Sequence, residues 1–298
     1  MTSHPRAIAP LDLLQLLSIA LIWGTNNVAA KIAIGELPAM MVAGLRFAII
    51  LAVLGVRLWP LPKVQWRPFV LLLVLVGPLH FGLQYLGLGL ADDLAPMVVA
   101  MQLWAPASVL CAIVVLGERV SPLRLAGVGI AFAGAAAMTF DPVVFAQWGA
   151  LALVGLASCL YGLGAVLMRR MGAAVNAWTM QAWIALASAP LLLGASFTFE
   201  SGHGAAVGDA SWLAWACLLF GGIVSGVVAN AFLTRLVQKY EVSRTTPYLL
   251  LTPAISFTLA ALVLGDDITP RILAGAAATM SGVALMVWAE RRLLRAIV

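Results

Sequence analysis

The sequence predicts an all-α integral membrane protein of ten transmembrane helices, arranged as two inverted five-helix repeats with both termini in the cytoplasm. Three observations predict this fold class: the composition is strongly apolar, one long motif occurs twice, and most basic residues fall on one side of the predicted membrane. Lipid offers the backbone no hydrogen-bond partners, so spans of this kind must be helical or form closed barrels.

Composition alone places the chain in a bilayer. Hydrophobic residues make up 63% and charged residues only 10% of its 298 residues, and the mean hydropathy is +1.04. An average soluble domain carries about 25% charged residues. The net charge of +5 does not indicate a nucleic-acid partner, because the basic residues lie at predicted helix ends. Cys111, Cys159 and Cys217 each lie in an apolar run, which predicts packed thiols rather than a disulfide framework.

Ten apolar segments have about the 20 residues that a helical span requires. Pro, Gly and charged residues separate them. The first apolar run has the length of a full span and lacks a small-residue cleavage site, which favours an uncleaved helix over a signal peptide. The spans are predicted near residues 12–34, 38–58, 68–90, 94–116, 122–140, 148–169, 176–198, 211–234, 244–264 and 270–290.

One motif occurs twice along the chain. GERVSPLRLAGVGIAFAGAAAM begins at Gly117, and GDDITPRILAGAAATMSGVALM begins at Gly265. In each copy a helix is predicted to end at the glycine, whose missing Cβ lets the backbone turn. Ser121 and Thr269 each precede a proline and are placed as N-caps of the next helix. The chain is therefore predicted to be an internal duplication.

The basic residues orient the predicted spans. Five spans per repeat is an odd number, so the second repeat, 148–290, enters the membrane upside down relative to the first, 12–140. Inverted repeats of this kind are typical of secondary transporters, with the substrate site near the midplane. By the positive-inside rule both termini are cytoplasmic, because 14 of the 17 basic residues lie on that side: Arg6, Arg57, Lys63, Arg67, Arg119, Arg124, Arg169, Arg170, Arg235, Lys239, Arg244, Arg291, Arg292 and Arg295.

Stretches in both halves carry a family resemblance: LIWGTNNVAAKIAI, MMVAGLRF, VVLGERVSPLRLAGVGIAFAG and QKYEVSRTTPYLLLTPAISFTLAALVLGDDITPRILAGAAATMSG. Over about residues 12–290 the chain resembles the drug/metabolite transporter superfamily, in particular its EamA-type members. The resemblance implies a ten-helix carrier of the bacterial inner membrane that exports amino acids or related metabolites and uses no cofactor. One feature differs: where the family commonly has Gly-Glu-Arg or Gly-Glu-Lys in both repeats, the second copy reads Gly265-Asp266-Asp267.

Polar residues inside spans mark candidate substrate contacts, since each is costly in lipid unless it faces protein or a water-filled cavity. In the first span Trp23, Asn27 and Lys31 fall on one helical stripe, with Asn26 beside it. One interpretation is that they line a cavity. The other is that Lys31 reaches the outer headgroups and the Asn pair bonds to a neighbouring helix.

The second and third spans add further candidates. Arg46 is the one arginine predicted well inside a span; it would bind a substrate carboxylate, cap carbonyls of a broken helix or pair with Glu36. His80 and Gln84 lie one helical turn apart, with Tyr85 adjacent. A substrate contact and a hydrogen-bonded packing role are both open for His80.

The remaining candidates lie near mid-depth in later spans. Pro106 and Pro253 each remove a helix hydrogen bond, which either provides a bend for gating or leaves a static kink. Ser158 and Asn230 are weaker candidates. Six glycines are predicted to allow close helix packing rather than ligand contact: Gly127, Gly134, Gly222, Gly226, Gly275 and Gly282. The further substrate-binding candidates are Gln102, Trp104, Tyr161, Gln181, Tyr248, Thr252 and Ser256.

These residues favour a transporter over other membrane proteins. The sequence has no HExxH motif, no paired carboxylates inside the membrane and no Ser/His/Asp set, so an enzyme is not indicated. No ring of like charges indicates a selective channel. The predicted partners are the lipid bilayer and a small molecule, foremost an amino acid; sugars, nucleobases and drug-like cations are the alternative. All twelve acidic residues fall in loops or at span ends, which leaves His80 as the candidate for proton coupling. A monomer and a homodimer are both compatible with the sequence.

Overall fold

The computed structural model describes residues 9–59, 61–117, 120–138, 140–171, 175–239, 248–249 and 251–297. Of the described residues 88% are helical, and these ranges contain no β-strand. Within these ranges, eight helical segments are long and apolar enough to cross a membrane, and two further apolar helices are shorter. The chain is therefore an all-helical, multi-pass membrane protein, as predicted.

The helices of the first half follow the predicted spans closely. α3 and α4 are joined by a π-helical segment, Leu75–Leu79, and a 3₁₀ turn, Gly55–Leu58, extends α2. The helices are α1 (Pro10–Glu36), α2 (Ala39–Leu54), α3 (Trp66–Val74), α4 (His80–Leu90), α5 (Leu94–Met101), α6 (Trp104–Leu116) and α7 (Pro122–Met138).

The second half contains eight helices among the described residues. Two more π-helical segments occur here: Phe220–Ala229 joins α12 to α13, and Ala260–Leu264 follows α14. Part of the predicted ninth span, 244–264, lies outside the described residues. The helices are α8 (Pro142–Ala146), α9 (Trp148–Met171), α10 (Ala177–Phe199), α11 (His203–Asp209), α12 (Trp212–Leu219), α13 (Asn230–Lys239), α14 (Leu251–Leu259) and α15 (Pro270–Ile297).

The duplicated loops have the predicted local structure. Gly117 and Gly265 adopt left-handed backbone conformations, with φ of 65° and 75°, and each ends the helix before it. The Ser121 hydroxyl accepts a hydrogen bond from the Arg124 amide at 3.3 Å. Thr269 accepts one from the Ile272 amide at 3.2 Å. Both predicted N-caps are therefore confirmed.

Two of the long spans are interrupted near mid-depth. In the third span, Gly77 has non-helical angles, φ −103° and ψ −105°, immediately before Pro78. In the fourth, α5 and α6 are separated at Gln102 and Leu103. Gln102 lies four residues before Pro106, and a proline ring clashes with the carbonyl at that distance in a regular helix. The prolines thus give the two spans their bends.

Helices α7 and α15 approach closely along a stripe of glycines. A Cβ placed on Gly127 would lie 2.8 Å from the Gly282 carbonyl oxygen, and one on Gly134 would lie 2.8 Å from the Gly275 carbonyl oxygen. Thr279 also donates a hydrogen bond to the Ala131 carbonyl at 3.3 Å. The predicted packing role of these glycines is confirmed. Gly222 and Gly226 lie equally close to the side chains of Ile49 and Ile50.

The two ends of the bundle differ in charge. We term one the acidic end, because four carboxylates lie at the helix ends that meet there: Glu36, Asp93, Glu200 and Asp266. We term the other the basic end, where α9 finishes and α10 begins. The exposed side chains of Arg57, Lys63, Arg67 and Arg235 lie at this end.

Candidate functional site

A cavity of about 610 Å³ lies between helices from both halves of the chain. Its lining extends from mid-bundle residues such as Asn27 and Gln84 to Met168, Trp178 and Leu233 near the basic end. The acidic-end carboxylates are absent from this lining. The volume falls within the roughly 300–1,000 Å³ of typical small-molecule sites.

The structure brings most of the predicted site residues together around this cavity. Lys31, Tyr85, Tyr248 and Ser256 lie outside the lining. Substrate contact by any of these side chains remains a prediction. Those that line the cavity are Trp23, Asn26, Asn27, Arg46, His80, Gln84, Gln102, Trp104, Tyr161, Gln181 and Thr252, together with the weaker candidates Ser158 and Asn230.

Asn27 and Ser256 connect the first and ninth predicted spans. The Asn27 amide donates to the Ser256 hydroxyl at 3.0 Å, and that hydroxyl donates to the Gly24 carbonyl at 3.1 Å. Gly24 permits this approach of α1 and α14, because a Cβ there would lie 2.6 Å from the Ile255 side chain. Ser256 therefore orients Asn27 from behind, while Asn27 itself faces the cavity.

Lys31 binds the C-terminal end of a neighbouring helix. Its ammonium donates hydrogen bonds to the carbonyls of Leu88, at 2.9 Å, and Ala91. These carbonyls belong to the C-terminal turn of α4 and the residue after it, where unpaired acceptors and the helix dipole favour a cation. Lys31 thus holds α4 against α1 and does not line the cavity, while contact with the outer headgroups remains a prediction.

Arg46 is held from two directions and faces the cavity. Its Nη1 donates to the Tyr85 hydroxyl at 3.0 Å, and its Cζ lies 5.2 Å from the centre of the Phe81 ring. Glu36, the alternative partner, instead accepts a hydrogen bond from the Ser211 hydroxyl at 2.7 Å. Tyr85, although outside the cavity, therefore positions the guanidinium that lines it.

His80 is buried in an aromatic group beside the cavity. Its Nδ1 lies 2.8 Å from the Ala157 carbonyl oxygen, and because a carbonyl only accepts, Nδ1 carries the proton. The imidazole centre lies 4.7 Å from the Phe81 ring and 4.8 Å from the Tyr161 ring. Tyr161 in turn contacts Trp104 edge-on at 5.9 Å. One side of the cavity is thus aromatic.

Neither predicted gating proline lines the cavity. Pro106 is buried in the first turn of α6, and Pro253 is buried in the first turn of α14. Pro106 follows the break that carries Gln102 and Trp104 into the lining. Tyr248 is half-buried and packs with a cluster that includes Leu16. Gating by the prolines remains a prediction.

Four buried polar atoms in the lining have no hydrogen-bond partner among the described residues. They are Asn26 Oδ1, Arg46 Nε, Ser225 Oγ and Thr252 Oγ1. Buried polar groups in native proteins are nearly always paired with protein, water or a ligand. All four belong to residues that line the same cavity.

The cavity narrows towards the acidic end at Asn26 and Arg46. These two side chains also line a second space of only about 10 Å³, together with Ala30, Tyr85 and Gly221. That volume accommodates about one water molecule. The passage beyond the large cavity is therefore constricted.

Hydrogen bonds tie helices together at the acidic end. The Glu200 carboxylate accepts from the amides of Met40, at 2.9 Å, and Met41, at 3.3 Å. Asp266 accepts from the Ala95 amide at 2.7 Å. Burial raises the pKa of the Asp266 carboxyl above its ordinary value. Carboxylates at helix N-termini are favourable there, so this end is closed by specific capping contacts.

Sequence reasoning did not identify the apolar part of the lining. In an apolar helix such residues are indistinguishable by composition from lipid-facing ones. Some of these residues could have been found because they share a helix face with a predicted site residue. Trp178 lies three residues before Gln181, and Phe81 lies four residues before Tyr85. The unpredicted residues include Phe47, Ile50, Val76, Phe81, Met101, Met168, Val175, Trp178, Met180, Ile184, Ser225 and Leu233.

Metal ligands and disulfides do not contribute to the described site. No group of three His, Cys, Asp or Glu side chains that could hold a metal ion occurs in the part of the chain that the structure describes. Cys111, Cys159 and Cys217 are free.

Known proteins resemble the chain along almost its whole length. A probable amino-acid metabolite efflux pump of Salmonella typhimurium is 25% identical, with 92% of this chain and 94% of the relative covered. An Escherichia coli protein of the same description has the same identity and coverage. A crystal structure of another protein superposes with a TM-score of 0.63 at 20% identity, covering 95% of this chain and 98% of the other, which shows a common fold.

The sequence profile of one transporter family matches the chain twice, over residues 11–140 and again over residues 147–288. The two matches together cover most of the 298 residues. The chain therefore belongs to the EamA-like transporter family.

Proposed function

We propose that this protein is a secondary transporter that exports small metabolites, foremost amino acids, across the inner membrane of a bacterium. It binds its substrate in the central cavity and works by alternating access. The single observation that carries this proposal is the one-sided cavity of about 610 Å³, which reaches the basic end and stops at Asn26 and Arg46. Alternating access requires a central site that is open to one side at a time.

The charge distribution supports the orientation of the chain in the membrane. Under this proposal the basic end faces the cytoplasm by the positive-inside rule, and the cavity opens towards that side. Under this proposal ten spans form two inverted repeats, with the fifth and tenth spans corresponding to α7 and α15. Opening to the outside then requires the capping contacts of the acidic end, such as Glu200 with Met40, to separate.

The lining supports an amino-acid-like cargo of moderate size. Arg46 supplies a cation for a carboxylate, and Trp23, Trp104 and Tyr161 supply apolar surface. Asn26 and Thr252, whose side-chain oxygens are buried in this structure, also belong to the lining and supply neutral acceptors for an amine. A site that combines a few polar groups with a large aromatic wall suits several side chains, which supports broad specificity.

Counterflow in proteoliposomes tests the proposal. Vesicles that contain the purified protein are loaded with one unlabelled amino acid, and uptake of the same labelled amino acid is measured against protein-free vesicles. We expect transient accumulation for several amino acids, with apolar side chains foremost. Accumulation of a sugar, a nucleobase or a lipophilic cation, without any amino acid, would instead support the alternative cargo and overturn this proposal.

A further inference from the structure

We propose that Arg46 and Asn26 form a carboxylate-recognition subsite at the constriction. This subsite favours carboxylates with an N–H group on the adjacent carbon and discriminates against amines that lack a carboxylate. The inference rests on the proposed transport function and names its substrate class. Its basis is the position of one cation and one neutral acceptor at the narrow end of the cavity.

Among the described residues, the lining carries a positive charge but no negative charge. Arg46 is the only Arg or Lys among the described residues that line the cavity, and no Asp or Glu lies among them. An isolated cation in surroundings of low dielectric strongly favours an anion beside it and opposes a second cation. A carboxylate is thus matched by a charged partner, whereas an ammonium finds only neutral acceptors and aromatic faces.

Arg46 presents a fixed donor edge. Tyr85 accepts from Nη1 at 3.0 Å, and Phe81 covers one face of the guanidinium, with Cζ 5.2 Å from the ring centre. Nε is buried and has no partner in the described part of the chain. A guanidinium held in this way loses little freedom when it binds a planar carboxylate.

Asn26 places an acceptor beside this donor. A Cβ built on Gly221 would lie 3.1 Å from Asn26 Oδ1 and 4.0 Å from Arg46 Cδ, so both side chains border one small space. Asn26 Oδ1 is also buried without a described partner. A donor next to an acceptor complements a carboxylate whose neighbouring carbon carries N–H, as in an amino acid or an N-acyl amino acid.

The location makes this recognition selective for transport. Asn26 and Arg46 line both the large cavity and the space of about 10 Å³ beyond it. A substrate that moves from the cavity towards the acidic end therefore passes these two side chains.

A matched set of ligands tests the subsite on the whole protein. All four ligands share one phenylethyl group and differ in charge. Two are anions: 3-phenylpropionate, and N-acetylphenylalanine, which adds an N–H group. Phenylalanine is a zwitterion, and phenethylamine is a cation. Thermal stabilisation of the purified protein measures apparent affinity for each. We expect phenethylamine to bind about 10- to 100-fold more weakly than N-acetylphenylalanine, because a hydrogen bond to a charged group contributes about this factor to affinity.

Variants attribute the selection to the two residues. Arg46→Gln is expected to bring the two affinities within about threefold, while Arg46→Lys, which keeps the charge, retains part of the ratio. Asn26→Ala is expected to remove the advantage of N-acetylphenylalanine over 3-phenylpropionate. Arg57→Gln removes an exposed charge at the basic end and should change neither ratio. Each ratio is measured within one preparation, so differences in protein yield cancel.

The possible failures are distinguishable. Wild-type binding of phenethylamine as tight as that of the anions overturns the subsite, and so does an unchanged ratio in Arg46→Gln. Failure of all four compounds to bind also overturns it. If Arg46→Gln does not fold, the wild-type and Arg46→Lys ratios decide. The proposed function fails separately, when no amino acid of any kind shows counterflow.

Discussion

Replacement of Gly127 by alanine tests the close packing of α7 and α15. A Cβ at this position would lie 2.8 Å from the Gly282 carbonyl oxygen and 3.0 Å from the Met286 backbone nitrogen. Carbon–oxygen contacts between helices normally measure about 3.3–3.6 Å, so the two backbones must separate by roughly 0.5 Å or more. Met286 Cγ, also 2.8 Å away, belongs to a flexible side chain, but the other two atoms belong to the backbone, so movement of that side chain alone does not relieve the clash.

The magnitude follows from two opposing effects. Overpacking of this kind costs about 1–3 kcal/mol, while alanine in place of glycine in a helix contributes up to about 1 kcal/mol of stability. Gly129 of the same helix is exposed, and a Cβ there meets nothing within 4 Å in the described structure. Gly129→Ala is therefore the matched control, which gains the helix propensity without the clash.

Thermal unfolding of the two variants in detergent provides the assay. We expect Gly127→Ala to unfold at a temperature several degrees below the wild type, and Gly129→Ala to unfold at or above the wild-type temperature. The informative quantity is the difference between the variants, about 1–3 kcal/mol in the free energy of unfolding. Equal stability of the two variants would refute the inference that the glycine stripe sets the distance between α7 and α15.

Three further predictions concern the cavity and the acidic end. Trp104→Ala should lower transport several-fold because Trp104 lines the cavity, whereas Tyr248→Ala should affect it less; equal losses at equal expression would contradict this assignment. A pH gradient should drive accumulation either not at all or through His80, so strong pH-driven uptake in His80→Gln would refute the expectation. Burial raises the pKa of Asp266, so protonation of this carboxyl stabilises the folded state as the pH falls towards the ordinary carboxyl range near 4. Asp266→Asn should therefore flatten the dependence of the free energy of unfolding on pH in that range. An unchanged pH profile in this variant would contradict the prediction.

Much of the helical architecture could be predicted because its causes are local. A bilayer requires about 20 apolar residues per span, and this requirement is written directly in the composition of each segment. The caps at Ser121 and Thr269 and the left-handed turns at Gly117 and Gly265 depend on a few neighbouring residues. Local steric and hydrogen-bonding rules were sufficient for them.

The position of the cavity was only partly predictable. Polar side chains inside spans are costly unless they face protein or water, and this rule identified Asn26, Arg46, His80 and Gln181 as members of one interior region. The rule did not distinguish Lys31, which lies outside the cavity lining, from these residues. All of these residues have the same local signature, a polar group in an apolar helix.

Tertiary structure decided what each polar group contacts. Lys31 is satisfied by carbonyls of Leu88 and Ala91, and Asn27 by Ser256, a residue 229 positions away. Such partners depend on the rotation and depth of each helix, which arise from packing across the whole bundle. The same holds for Trp178 and Phe81, whose apolar side chains line the cavity and not the lipid. The sequence by itself determined which segments form apolar helices and where they turn; only the packed bundle decided which of their faces enclose the cavity.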